Sequence, residues 1–110
     1  MNRTELIDFA EKFYSANIAL MKIKNADYTG SSDNAMANFI AVEVLGIEPE
    51  KGFLTRMMDK MMRVSAFVKQ GKFLVEDESV QVTLSDLANY CALMAAYLAT
   101  ERKKNSEDFL

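Results

Sequence analysis

The chain has no histidine and a single cysteine, Cys91, among its 110 residues. These residue types supply most zinc ligands, and histidine is the most common general base, so zinc sites and histidine-based catalysis are excluded. A lone cysteine forms no disulfide within its own chain, which suits a reducing compartment. We expect its thiol to be buried as a small hydrophobic group. A magnesium site formed by carboxylates is not excluded by this composition.

Proline occurs once and glycine four times, and tryptophan is absent. The remaining composition is rich in alanine, methionine, leucine and other helix-forming residues, and half of all residues are apolar. A chain of this length closes one hydrophobic core. The composition therefore predicts an all-α fold, a compact bundle of about four helices over residues 1–99, followed by a charged C-terminal tail over residues 100–110.

Positive charge is not in excess, since the net charge is −3. No overall field attracts duplex nucleic acid or anionic lipid, so any anion site must be local. We see no signal peptide and no apolar run near the roughly 18 residues of a membrane span. The sequence therefore predicts a cytoplasmic protein with no membrane partner.

The first predicted helix opens at a capping pair, Asn2 with Glu5, and runs to about Lys24. Its inward-facing apolar stripe is expected to comprise Leu6, Phe9, Ala10, Phe13, Leu20 and Met21. Asn17 and Lys24 interrupt this stripe. Two interpretations are open: either Asn17 hydrogen-bonds a neighbour while Lys24, at the end of the helix, extends its ammonium group into water, or a bound ligand is the partner that buried polar groups need.

The last predicted helix, Asp77 to Leu98, carries two lines of residues at helical spacing, with Asp77 as its N-cap. The main apolar line is Val80, Leu84, Leu87, Cys91, Met94 and Leu98. The second is Thr83, Asp86, Tyr90, Leu93 and Tyr97. A helix with one buried face needs one such line, so we expect this helix to be covered on two sides, by its own chain or by another copy. This pattern favours a homo-oligomer.

Two further helices are predicted between these, Asn34 to Leu45 and Phe53 to Gln70, ended by Gly46 and Gly71. The first is apolar almost all round and is expected to be buried, with Asn38 and Glu43 as exceptions. The connector before it, Asn25 to Asp33, brings Ser31 and Ser32 to a helix start. That position suits either a plain cap or an anion.

One side of the third helix carries three cations and one anion, in a chain that is acidic overall. Arg56, Asp59, Lys60 and Arg63 stand at i, i+3, i+4 and i+7. Asp59 can bridge Arg56 and Arg63, which describes a solvated face with ion pairs. The excess of cations equally describes a strip that binds phosphate.

Several blocks in order resemble a small phage-borne helical family, the nucleotide modification associated domain of type one. They are KNADYTG from Lys24, SSDNAMANF from Ser31, Glu43 with Gly46, GFLTRMMDKMMR from Gly52 and DESVQVTLSDLANY from Asp77. The resemblance covers most of residues 20–98. It implies an association with nucleotides in an infected bacterial cell, and it names a class of ligand without naming a reaction.

The segment SDLANYCALMAAYL is also similar to the closing helix of the all-α nucleoside triphosphate pyrophosphohydrolases. Those enzymes hold magnesium with paired E-x-x-E and E-x-x-D carboxylates, which activates water for attack on a phosphoanhydride. Asp86 stands at the position of their final aspartate. The preceding glutamate is missing, because Val82 and Thr83 occupy that neighbourhood, and the second and third helices carry no E-x-x-E pair.

A first hypothesis is a nucleotide-binding protein, an oligomer that sequesters its ligand as a counter-defence device, for example a cyclic-nucleotide defence signal of the host. It needs no cofactor and no catalytic residue. Phosphate would contact Arg56, Lys60 and Arg63, helped by Lys24, Ser31 and Ser32. Tyr28 or Tyr90 would stack on a base, while Asn17, Asn38, Asp86 or Asn89 would read base or ribose edges.

A second hypothesis is a magnesium-dependent enzyme that cleaves or modifies a nucleotide. Its metal ligands would be Glu43, Asp59, Glu78 and Asp86. A third hypothesis is a structural module whose cationic strip docks on an acidic protein surface. The three differ in whether a nucleotide is held unchanged, converted, or ignored.

Overall fold

The computed structural model describes residues 1–29, 34–71 and 79–101, with the side chains of residues 27–29 excepted. In these ranges the fold is all-α, as predicted, with no strand. The elements are α1 (Arg3–Thr29), α2 (Ala37–Ile40), a 3₁₀ helix (Ala41–Leu45), α3 (Pro49–Gln70) and α4 (Val80–Thr100). Most of the predicted tail lies outside the described residues.

Three predicted helix boundaries are confirmed in atomic detail. The backbone amide of Glu5 donates to Asn2 Oδ1 at 2.8 Å, and the amide of Asn2 donates to Glu5 Oε1 at 3.0 Å, which forms a capping box. Gly46 and Gly71 follow their helices with φ of 75° and 76°. This left-handed conformation is accessible to glycine at little cost, so both glycines end the helix before them.

Other boundaries differ from the prediction. α1 continues past Lys24 to Thr29. α3 begins at Pro49, four residues before the predicted start, because proline is well suited to the first turn of a helix. α4 begins at Val80, and its N-cap is Ser79, whose hydroxyl accepts a hydrogen bond from the amide of Val82 at 3.2 Å. Asp77 lies outside the described residues.

The predicted second helix is shorter and more exposed than expected. It divides into one turn of α-helix and a 3₁₀ segment. Val44 and Leu45 are 89% and 75% exposed, so the prediction of a helix buried on most of its surface is wrong. Phe39 is the side chain by which this segment joins the core, since it stacks on Phe53 with ring centroids 4.7 Å apart.

The hydrophobic core lies where α2, α3 and α4 meet. Phe53 is 1% exposed and contacts the Phe39 ring on one side and the Tyr97 ring on the other, at a centroid distance of 5.8 Å. Met36 completes the set of buried hydrophobic side chains among the described residues. α3 and α4 form the most extensive helix pair, and α1 packs on α4 over a smaller contact.

α4 turns its second line of residues inward. Thr83 and Tyr97, both on that line, are the buried residues of the helix. Cys91, on the main apolar line, is exposed, so its expected burial is wrong. Polar Thr83 and Asp86 make the second line less hydrophobic, but its tyrosines reach the aromatic core and its Asp86 meets lysines of α1 and α3. Packing partners thus decided the orientation of this helix.

α4 is also long and apolar enough to cross a membrane, judged by length and composition alone. It is the single helix of that kind in the described ranges. Core helices of soluble proteins pass the same test, so this is weak evidence, and the absence of a membrane partner stays a prediction.

Candidate functional site

A cavity lies where the C-terminal half of α1 crosses α4, with α2 and α3 closing its other sides. α4 contributes half of the polar lining residues, and the other elements contribute one to three side chains each. The lining residues are Met21, Lys24, Asn25, Phe39, Arg56, Asp86, Asn89, Tyr90 and Leu93. Five of these, Lys24, Arg56, Asp86, Asn89 and Tyr90, were predicted as ligand-binding residues from the sequence.

Arg56 is held in the cavity by aromatic rings. Its guanidinium carbon lies 4.9 Å from the centroid of Phe39 and 6.0 Å from that of Tyr90. These cation–π contacts orient the planar group and leave its N–H edges as the atoms able to donate. No ion pair joins Arg56 to a carboxylate of the described residues. The expected bridge from Asp59 is therefore not formed, and Asp59 is exposed on α3.

Asp86 is shared by two lysines. Its Oδ1 lies 3.4 Å from Lys24 Nζ on α1, and its Oδ2 lies 3.5 Å from Lys60 Nζ on α3. The side chains of Asp86 and Lys60 are 16% and 19% exposed, whereas that of Lys24 is 45% exposed. One carboxylate thus faces two ammonium groups and the nearby Arg56, which leaves the group of four side chains with two positive charges in excess.

Two asparagines place further polar atoms at the cavity. Asn89 Nδ2 donates to the backbone carbonyl of Asn17 at 3.2 Å, which fixes the direction of the amide. Asn25 Nδ2 donates to the backbone carbonyl of Ala35 at 2.8 Å and so ties the end of α1 to the segment before α2. The hydrogen bond of Asn89 leaves its side-chain oxygen available as an acceptor at the cavity wall.

Asn17 and Lys24, the two polar residues in the stripe of α1, both face α4, and both have protein partners there. Asn17 is 4% exposed, and its own Nδ2 atom has no hydrogen-bond partner. A buried donor without a partner costs about 1–3 kcal/mol. The partner of Lys24 is thus the carboxylate of Asp86, whereas the side-chain nitrogen of Asn17 has no partner.

Other predicted ligand residues lie away from the cavity lining or outside the described part. Lys60 does not line the cavity but forms an ion pair with Asp86, which does. Arg63 lies two helical turns beyond Arg56 on α3. Asn38 keeps its Oδ1 buried without a partner and does not line the cavity. Ser31, Ser32 and the side chain of Tyr28 lie outside the described residues.

Sequence reasoning missed four lining residues: Met21, Asn25, Phe39 and Leu93. Asn25 carried a usable signal, because it stands in the KNADYTG block beside Lys24. Met21 and Leu93 were assigned to apolar lines without a role, and Phe39 received no assignment. Their place at a cavity depends on how the helices cross, which no local pattern encodes.

The described acidic residues among the proposed magnesium ligands, Glu43, Asp59 and Asp86, are not brought together. Within the described ranges no three acidic, histidine or cysteine residues are placed so that they could hold a metal ion. Glu43 is exposed on the 3₁₀ helix and Asp59 on α3, while Asp86 is engaged by lysines. Glu78 lies outside the described residues.

The cavity is small. About 40 Å³ of it accepts the centre of a water molecule, which is room for a few waters or one group of phosphate size. A site that encloses a whole drug-sized ligand needs roughly 300–1,000 Å³. A nucleotide would therefore insert one group here and lie across the mouth with the rest.

Comparisons of the chain with protein-family models, with curated proteins and with solved structures find no match.

Proposed function

We propose that this chain binds a phosphate-bearing nucleotide and holds it without converting it. The observation that carries the proposal is Arg56, a guanidinium oriented by two rings in a cavity where no carboxylate of the described residues pairs with it. Its free N–H edges match the paired oxygens of a phosphate, which arginine binds in a bidentate manner. The two excess positive charges of the site favour such an anion.

The other residues that line the cavity indicate the chemical class of the ligand. Tyr90 offers a ring at the cavity, and the Asn89 oxygen accepts hydrogen bonds of the kind that base or ribose edges donate. The resemblance to the nucleotide modification associated domain supports the same class of ligand. Its phage setting supports sequestration of a host signal such as a cyclic nucleotide, with Tyr28, Ser31 and Ser32 as further contacts.

The proposal is tested by calorimetry and by product analysis together. The purified protein is titrated with inorganic phosphate, nucleoside mono- and triphosphates and cyclic dinucleotides, with and without magnesium. We expect one class of nucleotide to bind and to be recovered unchanged by chromatography. Recovery of a cleaved or modified product in the presence of magnesium would support the enzyme hypothesis instead. If no nucleotide binds, the hypothesis of a structural module is the one that remains.

Arg56→Ala should weaken binding roughly 10- to 100-fold, because a hydrogen bond to a charged group contributes about 1.5–3 kcal/mol. Arg63→Ala is the matched control. It removes the same charge from the same helix but outside the cavity, so its affinity should stay within about threefold of the original. Equal losses in both variants would show that overall charge, and not the cavity, attracts the anion.

A further inference from the structure

The N-terminal half of α1 has almost no cover from the rest of the chain. No residue between Arg3 and Ala16 is buried, although this stretch carries the first part of the expected inward-facing stripe. Leu6 is 52% exposed, Ile7 51%, Phe9 50% and Tyr14 60%. The expectation that Leu6 and Phe9 face inward is therefore wrong within a single chain.

This half is nevertheless built as a defined helix. The reciprocal capping box of Asn2 and Glu5 fixes its first turn. The Phe9 and Phe13 rings stack with centroids 6.2 Å apart, and Phe13 meets Tyr14 edge-on at 5.4 Å. Helical stretches of about this length are marginal in water without packing, so a capped and aromatic-rich one is expected to have a partner surface.

We infer that the N-terminal half of α1 is a self-association surface that packs against a second copy of this chain. Four large apolar or aromatic side chains there, Leu6, Ile7, Phe9 and Tyr14, are 50–60% exposed and present on the order of 400 Å² of surface, with the partly buried Phe13 beside them. A standard interface buries about 800 Å² per partner, so these side chains supply about half of what a stable dimer requires.

Charge favours a second copy over a lipid surface. Residues 3–16 hold Arg3 and Lys12 against Glu5, Asp8 and Glu11, a net charge of −1. Anionic lipid surfaces attract helices with a basic polar face, which this one lacks. Asp8 and Lys12 lie four residues apart on one flank. In an antiparallel pair of helices related by two-fold symmetry, Asp8 of each copy can face Lys12 of the other copy.

The test compares one variant on each helix by analytical ultracentrifugation over a range of micromolar concentrations. The original chain should sediment as a dimer of the 12.4 kDa protomer. Phe9→Ala should weaken the dimer at least tenfold. It introduces a better helix-forming residue and removes no core side chain, so loss of the hydrophobic core cannot explain the result.

Two controls locate the surface. Met58→Ala on α3 removes an apolar side chain that is 62% exposed, and Ala95→Glu places a charge on the exposed side of α4. Both should leave the dimer intact. Dissociation by either control but not by Phe9→Ala would overturn the assignment to α1.

Two other results would also overturn it. A monomeric original chain whose melting temperature falls with Phe9→Ala would show that another part of the same chain covers α1. A monomeric chain that co-sediments with neutral phosphatidylcholine vesicles would show that lipid covers it.

Discussion

Asp86 holds two lysines at the edge of the cavity, while Arg56 lies nearby and pairs with no carboxylate in the part of the chain that the structure describes. Asp86→Asn keeps the shape of the side chain and removes its charge, which raises the positive excess of the site. We expect phosphate or nucleotide affinity to rise severalfold, measured by calorimetry at low ionic strength where such charges are least screened. Affinity that falls would mean that Asp86 itself contacts the ligand or a bound cation.

Asn17 carries the buried amide nitrogen that has no partner, although its backbone carbonyl accepts from Asn89. Asn17→Leu replaces the amide by an apolar group of similar size and leaves that carbonyl in place. We expect the free energy of unfolding to rise by about 1 kcal/mol in urea denaturation, because the uncompensated donor disappears. Asn89→Leu, which removes the donor to the carbonyl, serves as the opposite control and should destabilise.

At the residue scale, the sequence indicated part of the set of side chains that line the cavity, while their role as ligand contacts stays a prediction. Arg56, Asp86, Asn89 and Tyr90 were chosen because charged, amide and aromatic groups at those positions suit a nucleotide, and the structure brings them to one cavity with Lys24. Their partners were not readable. Asp59 is near Arg56 in sequence, yet Asp86 of another helix is the carboxylate that pairs with lysine from α3.

At the scale of the helices, local sequence signals predicted where a helix begins or ends better than they predicted which of its faces is buried. The Asn2–Glu5 box and the two glycine stops depend only on backbone geometry within a few residues, and they are confirmed. The inward face of α4 depends on what α1, α2 and α3 place opposite it. Hydrophobicity alone ranked the line containing Cys91 first, whereas the buried residues of the helix, Thr83 and Tyr97, both lie on the second line.

Replacing Gly52 in α3 and Gly71 just after its end by alanine should change the stability of the protein in opposite directions. Gly71 ends the helix at φ 76°, where a side chain is strained, so Gly71→Ala should destabilise by about 1 kcal/mol. Gly52 lies in the first turn, and an added methyl group would meet Val42 Cγ2 at 3.5 Å, an ordinary contact. Gly52→Ala should therefore stabilise by about 0.5–1 kcal/mol.

Thermal unfolding followed by circular dichroism measures both alanine variants. A Gly71→Ala protein as stable as the original would contradict the left-handed helix stop. A destabilised Gly52→Ala protein would show that Val42 cannot accommodate the methyl group.

At the scale of the whole molecule, stability depends on a small aromatic core. Phe53 is the side chain between Phe39 and Tyr97. We expect Phe53→Ala to cost about 3–5 kcal/mol, a large fraction of the 5–15 kcal/mol that holds a domain folded. Guanidinium denaturation measures it, and Met58→Ala, exposed on the same helix, should change stability by less than about 0.5 kcal/mol.

The position of Cys91 has a practical consequence. It is the one thiol of the chain, and it lies in the open on the side of α4 away from the aromatic core. A maleimide dye or a nitroxide would therefore attach at a single known place without any engineered mutation. The emission of the dye, or the spectral line shape of the nitroxide, would then report directly whether that side of α4 stays in contact with water when copies of the protein associate.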